Sequence, residues 1–133
     1  MSGLSFFDTN VVLYAYTPSG SHAQRAEQLL LQGGVISVQV LNEMVSVARG
    51  KLKLDWGRVR QLVQDAILFC PNPRPITAEI HLEAIRISAR YGFAIWDGLI
   101  VASALDAGCG VIYTEDMQHG QVIEGVRIVN PFL

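Results

Sequence analysis

Four acidic side chains of this sequence stand in apolar company. Asp8 follows Leu4-Ser5-Phe6-Phe7, and Glu43 interrupts Val38-Gln39-Val40-Leu41-Asn42-Glu43-Met44-Val45. Asp97 lies in Phe93-Ala94-Ile95-Trp96-Asp97-Gly98-Leu99-Ile100, and Asp116 comes shortly after Val111-Ile112-Tyr113-Thr114. A carboxylate in such a setting is costly unless it finds hydrogen bonds, an opposite charge or a metal. Gathered together, four carboxylates repel one another and some of their pKa values rise. A divalent cation removes that conflict, and an all-oxygen donor set selects a hard ion such as Mg2+ or Mn2+ rather than zinc or copper. Such a centre suits phosphodiester hydrolysis, where the metal activates a water and offsets charge on the phosphate and the leaving oxygen.

Each acid also has an ordinary reading. Asp8 before Thr9-Asn10 is good capping chemistry, and a helix cap and a site fit it equally well. Asp116, taken alone, is a polar loop residue beside Glu115. Asp97 could cap the helix that follows. It is also the only charge between Arg90 and Asp106, in a segment apolar nearly all round, which predicts burial and favours a site. Glu43 fits the exposed flank of an amphipathic helix, and Met44 and Val47 make the apolar face there too broad to decide.

The elements that must position these acids alternate short apolar runs with helical stretches, the pattern of an α/β fold on a parallel sheet. Residues 4–7 predict a strand ending at Asp8. Helical stretches follow at 10–16, stopped by Pro18-Ser19-Gly20, and at 22–32, closed by Gly33-Gly34. A short strand is expected at 35–37. A helix at 38–49, stopped by Gly50, carries the apolar stripe Val38, Leu41, Val45 and Ala48. Asp55 caps a helix running to about residue 69, with Val59, Leu62, Val63 and Ile67 inward. Pro71, Pro73 and Pro75 break the chain, and Ile76 is expected in a very short strand. Thr77 caps a helix to residue 91, ended by Gly92. A strongly apolar helix at 95–107 ends at Gly108, and strands are expected at 110–113 and 127–129. In open α/β sheets ligands bind at the carboxyl edge of the strands, and a parallel sheet puts Asp8 and Asp116 on one such edge.

The chain's 133 residues fit one domain, and half of them are hydrophobic. That suffices for a core with apolar surface left for a subunit or partner interface. No run of 18 apolar residues lacks a charge, so no membrane span is expected. Met1-Ser2-Gly3-Leu4 has no basic flank and no long apolar stretch, so a cytoplasmic location is the expectation. Cys70 and Cys109 match no metal or redox spacing and read as free buried thiols. His22, His81 and His119 are scattered, which argues against zinc. The net charge of −2 speaks against nucleic acid until the four acids are set aside, which leaves eight acids against ten bases. Five of those bases, Arg49, Lys51, Lys53, Arg58 and Arg60, lie within twelve residues. They form either a solvated face or a patch for phosphates.

Taken in order, Phe7-Asp8-Thr9-Asn10, Asn42-Glu43, Trp96-Asp97-Gly98-Leu99-Ile100-Val101-Ala102 and Tyr113-Thr114-Glu115-Asp116 resemble the PIN-domain nucleases, and more closely the VapC-type toxins of prokaryotic toxin–antitoxin pairs. The resemblance covers nearly the whole chain. It implies a three-layer α/β/α sandwich, a short parallel sheet with helices on both faces, and a Mg2+- or Mn2+-dependent endoribonuclease. It implies that Asp8, Glu43 and Asp97 form the metal site, that Asp116 is a more variable fourth acid, and that Thr9 or Asn10, with Thr114, support the site by hydrogen bonds. It further implies a homodimer, a cognate antitoxin protein that inserts a segment near the active site, and tRNA or other structured RNA as substrate. The family often carries an aromatic after the fourth acid, and here Met117-Gln118-His119 stands instead. His119 could touch RNA or move a proton, but it reads better as a surface histidine without a catalytic role. Trp96 could stack on a base, while its apolar neighbours predict a core position. With this resemblance the Arg49–Arg60 cluster becomes a candidate RNA or antitoxin contact.

Two other readings compete. The chain could be a catalytically silent RNA-binding or scaffold domain, against which stands the presence of all four acids. It could be a phosphotransfer domain with a strand-end Asp as nucleophile, but Asp8-Thr9-Asn10 supplies no second acid and the only lysines are Lys51 and Lys53.

Overall fold

Phe6 and Phe7 are both buried, so the first strand, β1 (Ser5–Phe7), is covered on both faces, as a continuous apolar run demands. The computed structural model describes residues 4–17 and 20–133; the expectations on Met1-Ser2-Gly3 and on the Pro18-Ser19 stop lie outside the described residues. After β1 the described residues form six helices: α1 (Thr9–Tyr14), α2 (Ser21–Leu31), α3 (Val38–Gly50), α4 (Trp56–Phe69), α5 (Ala78–Tyr91) and α6 (Ile95–Asp106). Strands β2 (Val111–Tyr113), β3 (Val122–Ile123) and β4 (Val126–Val129) close the chain.

The strands order as β1-β2-β4-β3 in an α/β/α arrangement. β1 pairs parallel with β2, and β2 parallel with β4. The expected parallel sheet is formed by β1, β2 and β4, and an edge strand that was not expected, β3, runs antiparallel to β4. The cause is a two-residue turn at Glu124-Gly125, whose φ angles of 49° and 96° match the tight hairpin turns that follow strand twist. The strand expected at 35–37 is reduced to single parallel steps, Val35 on Phe6 and Ser37 on Arg74. Val35 N still donates to Ser5 O at 2.8 Å, and Phe7 N to Val35 O at 2.9 Å. Gly34 permits this approach, since a Cβ there would collide with the Phe7 ring and lie 2.9 Å from Ser5 O. Ile76 forms no strand; its neighbour Arg74 makes the pairing instead.

The chain therefore leaves β1 for a segment on one side of it, while β2 lies on the other. That reversal creates a crevice at the carboxyl ends of β1 and β2, where open α/β sheets bind ligands.

Asp55 and Thr77 cap their helices as expected, and Ser37, expected at the end of a strand, caps α3. Ser37, Asp55 and Thr77 accept from Val40 N, Arg58 N and Ile80 N at 3.2, 2.8 and 3.2 Å. Gly92, at φ 76°, closes α5 in the left-handed conformation. The inward stripe of α3 differs in part from expectation: Ala48 is buried as expected, but Val40 and Met44 are buried with it, while Val38 is exposed. The helix has apolar residues on more than one face, so periodicity could not choose between them. On α4 Val59, Leu62 and Ala66 face the core, Val63 is half-buried, and Ile67 turns outward. α6 is buried continuously from Gly98 to Ala104 and forms the centre of the molecule. It crosses α5 at Gly98, where a Cβ would fall on Ser88 Oγ and 2.6 Å from Ala84 O. Cys70 and Cys109 are free and buried, as expected. Among the described residues no helix is long and apolar enough to cross a membrane.

Candidate active site

β1 ends where α1 begins, and Asp8 is the residue between them. Its two oxygens do different things. Oδ1 accepts from Thr9 N at 2.7 Å and so caps α1; Oδ2 accepts from Thr114 Oγ1, just beyond β2, at 2.8 Å. The cap and site readings of Asp8 are thus compatible.

The first turn of α1 ties the other acids to this point. Thr9 Oγ1 donates to Glu43 Oε2 at 2.7 Å, and Gln39 Nε2 to Glu43 Oε1 at 3.3 Å. Asn10 Nδ2 donates to Asp116 Oδ2 at 3.0 Å and to Thr114 Oγ1 at 3.3 Å, while Asn10 Oδ1 accepts from Glu115 N at 3.3 Å. Thr114 Oγ1 also accepts from Asp116 N at 3.1 Å. α1, α3 and the loop after β2 therefore meet through Thr9, Asn10 and Thr114, the three polar positions singled out from sequence. Asp8, Glu43 and Asp116 line one open cleft of about 510 Å³.

Burial pushes the Asp8 carboxyl up to about 6, with Glu43 and Asp116 adding repulsion. The hydrogen bonds from Thr114 and Thr9 N act the other way. Asp97 sits in the first turn of α6, half-buried rather than fully buried. Burial raises its pKa too, and Asp116 and Glu43 raise it further. It does not cap the helix, since the N-cap is Ala94, without a side-chain bond. Asp97 does not line the cleft floor, but it shares the electrostatic field of the other acids. Among the described residues no group of three or more His, Cys, Asp or Glu side chains is placed to hold a metal ion. The carboxylates of Asp8, Glu43 and Asp116 are instead held on separate hydrogen bonds. Their donor set is all oxygen, and the repulsion raising Asp8 and Asp97 is the kind a hard cation relieves, so the residues fit such an ion in chemistry.

The basic cluster does not act as one patch. Lys51 alone of the five lines the acid cleft. Arg49 lies 4.4 Å from the Trp56 ring centroid and donates to Leu54 O at 3.1 Å. Arg58 borders a separate cavity with Asp55 and Asp65, and Lys53 and Arg60 are exposed. Trp96, expected in the core, is 57% exposed, because the first turn of α6 projects past the packed stretch that starts at Gly98. His119 is exposed and its Nδ1 accepts from Asn130 N at 2.9 Å, which makes it a loop brace. Met117, in the segment after Asp116, is buried.

The cleft also holds a pair not singled out from sequence: Tyr14 OH donates to Glu115 Oε1 at 2.7 Å. The signal was available, since Tyr14 is four residues after Asn10 and shares its helix face.

Residues 5–123 match the PIN domain, a stretch from β1 through β3 that holds all four acids. The chain belongs to the PIN-domain family. The family is one of nucleases. Solved PIN-like structures share the fold. A toxin–antitoxin complex from Klebsiella pneumoniae is 21% identical with a TM-score of 0.72, covering 96% of this chain and 98% of that one. A DNA-bound VapBC complex from Salmonella typhimurium is 22% identical with a TM-score of 0.70, covering 94% and 96%. A sarcin–ricin loop cleaving VapC toxin from Mycobacterium tuberculosis is 16% identical with a TM-score of 0.64, covering 84% and 89%. No curated protein sequence matches this PIN-domain chain.

Proposed function

We propose that this chain is a single-domain, Mg2+- or Mn2+-dependent endoribonuclease, the toxin of a toxin–antitoxin pair, acting in the cytoplasm on tRNA or other structured RNA. The observation that carries it is the meeting of Asp8, Glu43 and Asp116 at the crevice between β1 and β2, with Asp97 in the same field. Asp8, Glu43 and Asp97 would hold the ion, with Asp116 as the fourth acid. Once bound, the ion would activate a water and offset charge on the scissile phosphate.

The chain's own groups prepare this. Thr114 and Thr9 N hold both oxygens of Asp8 and favour its ionised form. Thr9 Oγ1 and Gln39 fix Glu43, and Asn10 fixes Asp116. Lys51 at the cleft wall offers a cation to an RNA phosphate. The toxin assignment draws on the fold shared with toxin–antitoxin complexes, and it brings with it a homodimer and an antitoxin as partner.

The test is RNA cleavage with added Mg2+ by the wild type, Asp8→Asn and Asp97→Asn, each checked for fold by circular dichroism. Both variants are expected to lose activity by about 1000-fold, the scale of removing one electrostatic element of a transition-state site. If both cleave as well as wild type, the site is wrong. Calorimetric titration with Mn2+ separates a silent scaffold, which would show no binding that depends on Asp8. Sequencing RNA ends after induced expression identifies the substrate.

A further inference from the structure

Trp56 opens α4 with its side chain 63% exposed, although a tryptophan ordinarily buries most of its ring. Its backbone position is fixed, because Asp55 caps the helix by accepting from Arg58 N at 2.8 Å. One face of the indole is already covered: the Arg49 guanidinium carbon stands 4.4 Å over the ring centroid, a cation–π contact. The exposure therefore belongs to the opposite face and the ring edge. Arg49 is itself tied down by its bond to Leu54 O at 3.1 Å. Ring and guanidinium thus form an ordered stack with one side open.

That stack adjoins the rim of the acid cleft. Ser46, Val47, Lys51 and Leu52 line the cleft, and Arg49, three residues beyond Ser46, is its neighbour on the surface of α3. Residues 51–54 fold back onto the end of α3, where Leu52 N and Leu54 N donate to Val47 O and Ala48 O at 3.0 and 2.9 Å. Charge around the ring is one-sided, since residues 49–60 hold five bases and one acid, Asp55.

We propose that the open face of Trp56 stacks an unpaired base of an RNA strand whose phosphates leave the cleft past Lys51, with Arg49 backing the ring. The inference rests on the ribonuclease reading above and deepens it by naming a feature of the substrate, a splayed nucleotide near the scissile bond. Bases inside a duplex stack on one another, so an aromatic platform takes them from loops, bulges and ends. Every base has such a face, so the ring adds affinity without choosing a sequence. The surrounding cations select a nucleic acid as occupant: an apolar protein segment would cover the ring and leave the bases without partners, whereas a polynucleotide meets both with one strand.

The experiment follows the fluorescence of the full chain carrying Trp96→Phe, which leaves Trp56 as its one tryptophan. The probes are a short oligoadenylate and an abasic ribose–phosphate oligomer of the same length, added with metal chelated, because the subsite lies outside the acids. Oligoadenylate should quench the signal, and the abasic oligomer should leave it nearly unchanged. With Trp96 retained, Trp56→Leu should bind oligoadenylate about 10-fold more weakly than wild type, while Trp56→Phe, which still stacks, should bind nearly as well. Neither should change the salt dependence, whereas Arg49→Gln should lower its slope by about one unit. In cleavage with Mg2+, Trp56→Leu should raise KM and leave kcat nearly unchanged. If the wild type cleaves RNA and Trp56→Leu binds and cleaves like it, the stacking site falls and the ribonuclease reading stands. Base-dependent quenching in a chain that cleaves no RNA supports the site and counts against the ribonuclease reading. Equal quenching by the abasic oligomer overturns the site in favour of a plain phosphate contact, and equal losses in Trp56→Leu and Trp56→Phe overturn it in favour of packing. No quenching by either probe overturns it and leaves the ring to a protein partner. Should Trp56→Leu misfold, the contrast between the two probes decides.

Discussion

At the carboxyl end of β1, polar groups are drawn out of water at a cost; between α5 and α6, apolar surfaces meet so closely that one added carbon would collide. In the cleft Asp8 is 5% exposed, carries a raised pKa, and is held by two hydrogen bonds. At the joint, Gly98 lies against Ala84 and Ser88. The two regions are adjacent in sequence, with Asp97 and Gly98 side by side, yet their energetic roles oppose. The joint stabilises the fold and aims the first turn of α6; the cleft gives up part of that stability to keep carboxylates close and poised.

The sharpest way to separate the regions is Asp8→Asn, whose loss of cleavage by about 1000-fold should come with a gain in stability. The pKa of Asp8 is raised from 3.8 to about 6 in the folded state. The stability that goes with its protonated form is therefore present below the unfolded value and lost as pH rises through about 6. The amide in the variant would not titrate, so the metal-free variant should unfold at higher denaturant than wild type above about pH 6, by up to about 3 kcal/mol, with the gap closing toward about pH 4. A variant that is less stable at neutral pH would contradict the cost assigned to the cleft.

Gly98→Ala probes the joint. Within a helix this change ordinarily gains about 1 kcal/mol, but here the new carbon meets the Ala84 carbonyl, which cannot move aside. A net loss of about 2 kcal/mol is expected in urea unfolding. Mn2+ affinity measured while the protein is folded should change far less. If Gly98→Ala is neutral, the joint is looser than its geometry states.

Thr114→Val removes the hydroxyl that favours ionised Asp8. The Asp8 pKa should rise further, moving the acid limb of the pH–activity profile upward and lowering activity at about pH 6 by about 10-fold. A uniform loss at every pH would instead mark Thr114 as structural only. The smallest effect is expected for Lys51→Ala: a few-fold weaker RNA binding with the salt dependence reduced by about one unit of slope. Arg58→Ala, outside the cleft, should leave that slope unchanged.

Much of this was legible in the sequence. The caps at Asp55 and Thr77 and the stop at Gly92 follow from local hydrogen-bonding chemistry and backbone freedom, which depend on a few neighbouring residues. The continuous burial of α6 follows from its composition. The four acids stood out because carboxylates rarely sit among aliphatic residues without cause. The inward face of α3 was legible only at Ala48, because Val38, Leu41 and Val45 compete with Val40 and Met44, and only the rest of the core selects between them. Trp96 was misplaced because its neighbours are apolar, whereas its exposure depends on where α6 emerges from the packed interior. The antiparallel β3 was missed because two residues, Val122 and Ile123, are too short a run to announce a strand.

By itself, then, the sequence determined the elements and which residues could do chemistry, since both reside in side-chain type and short-range spacing. The tertiary structure alone decided that Asp8 caps α1 with one oxygen and reaches Thr114 with the other, that Glu43 rather than Asp97 borders the cleft, and that Lys51 is the one base of its cluster to reach it. Those facts depend on how β1, α3 and the loop after β2 converge across more than a hundred residues of chain, a relation that no local pattern encodes.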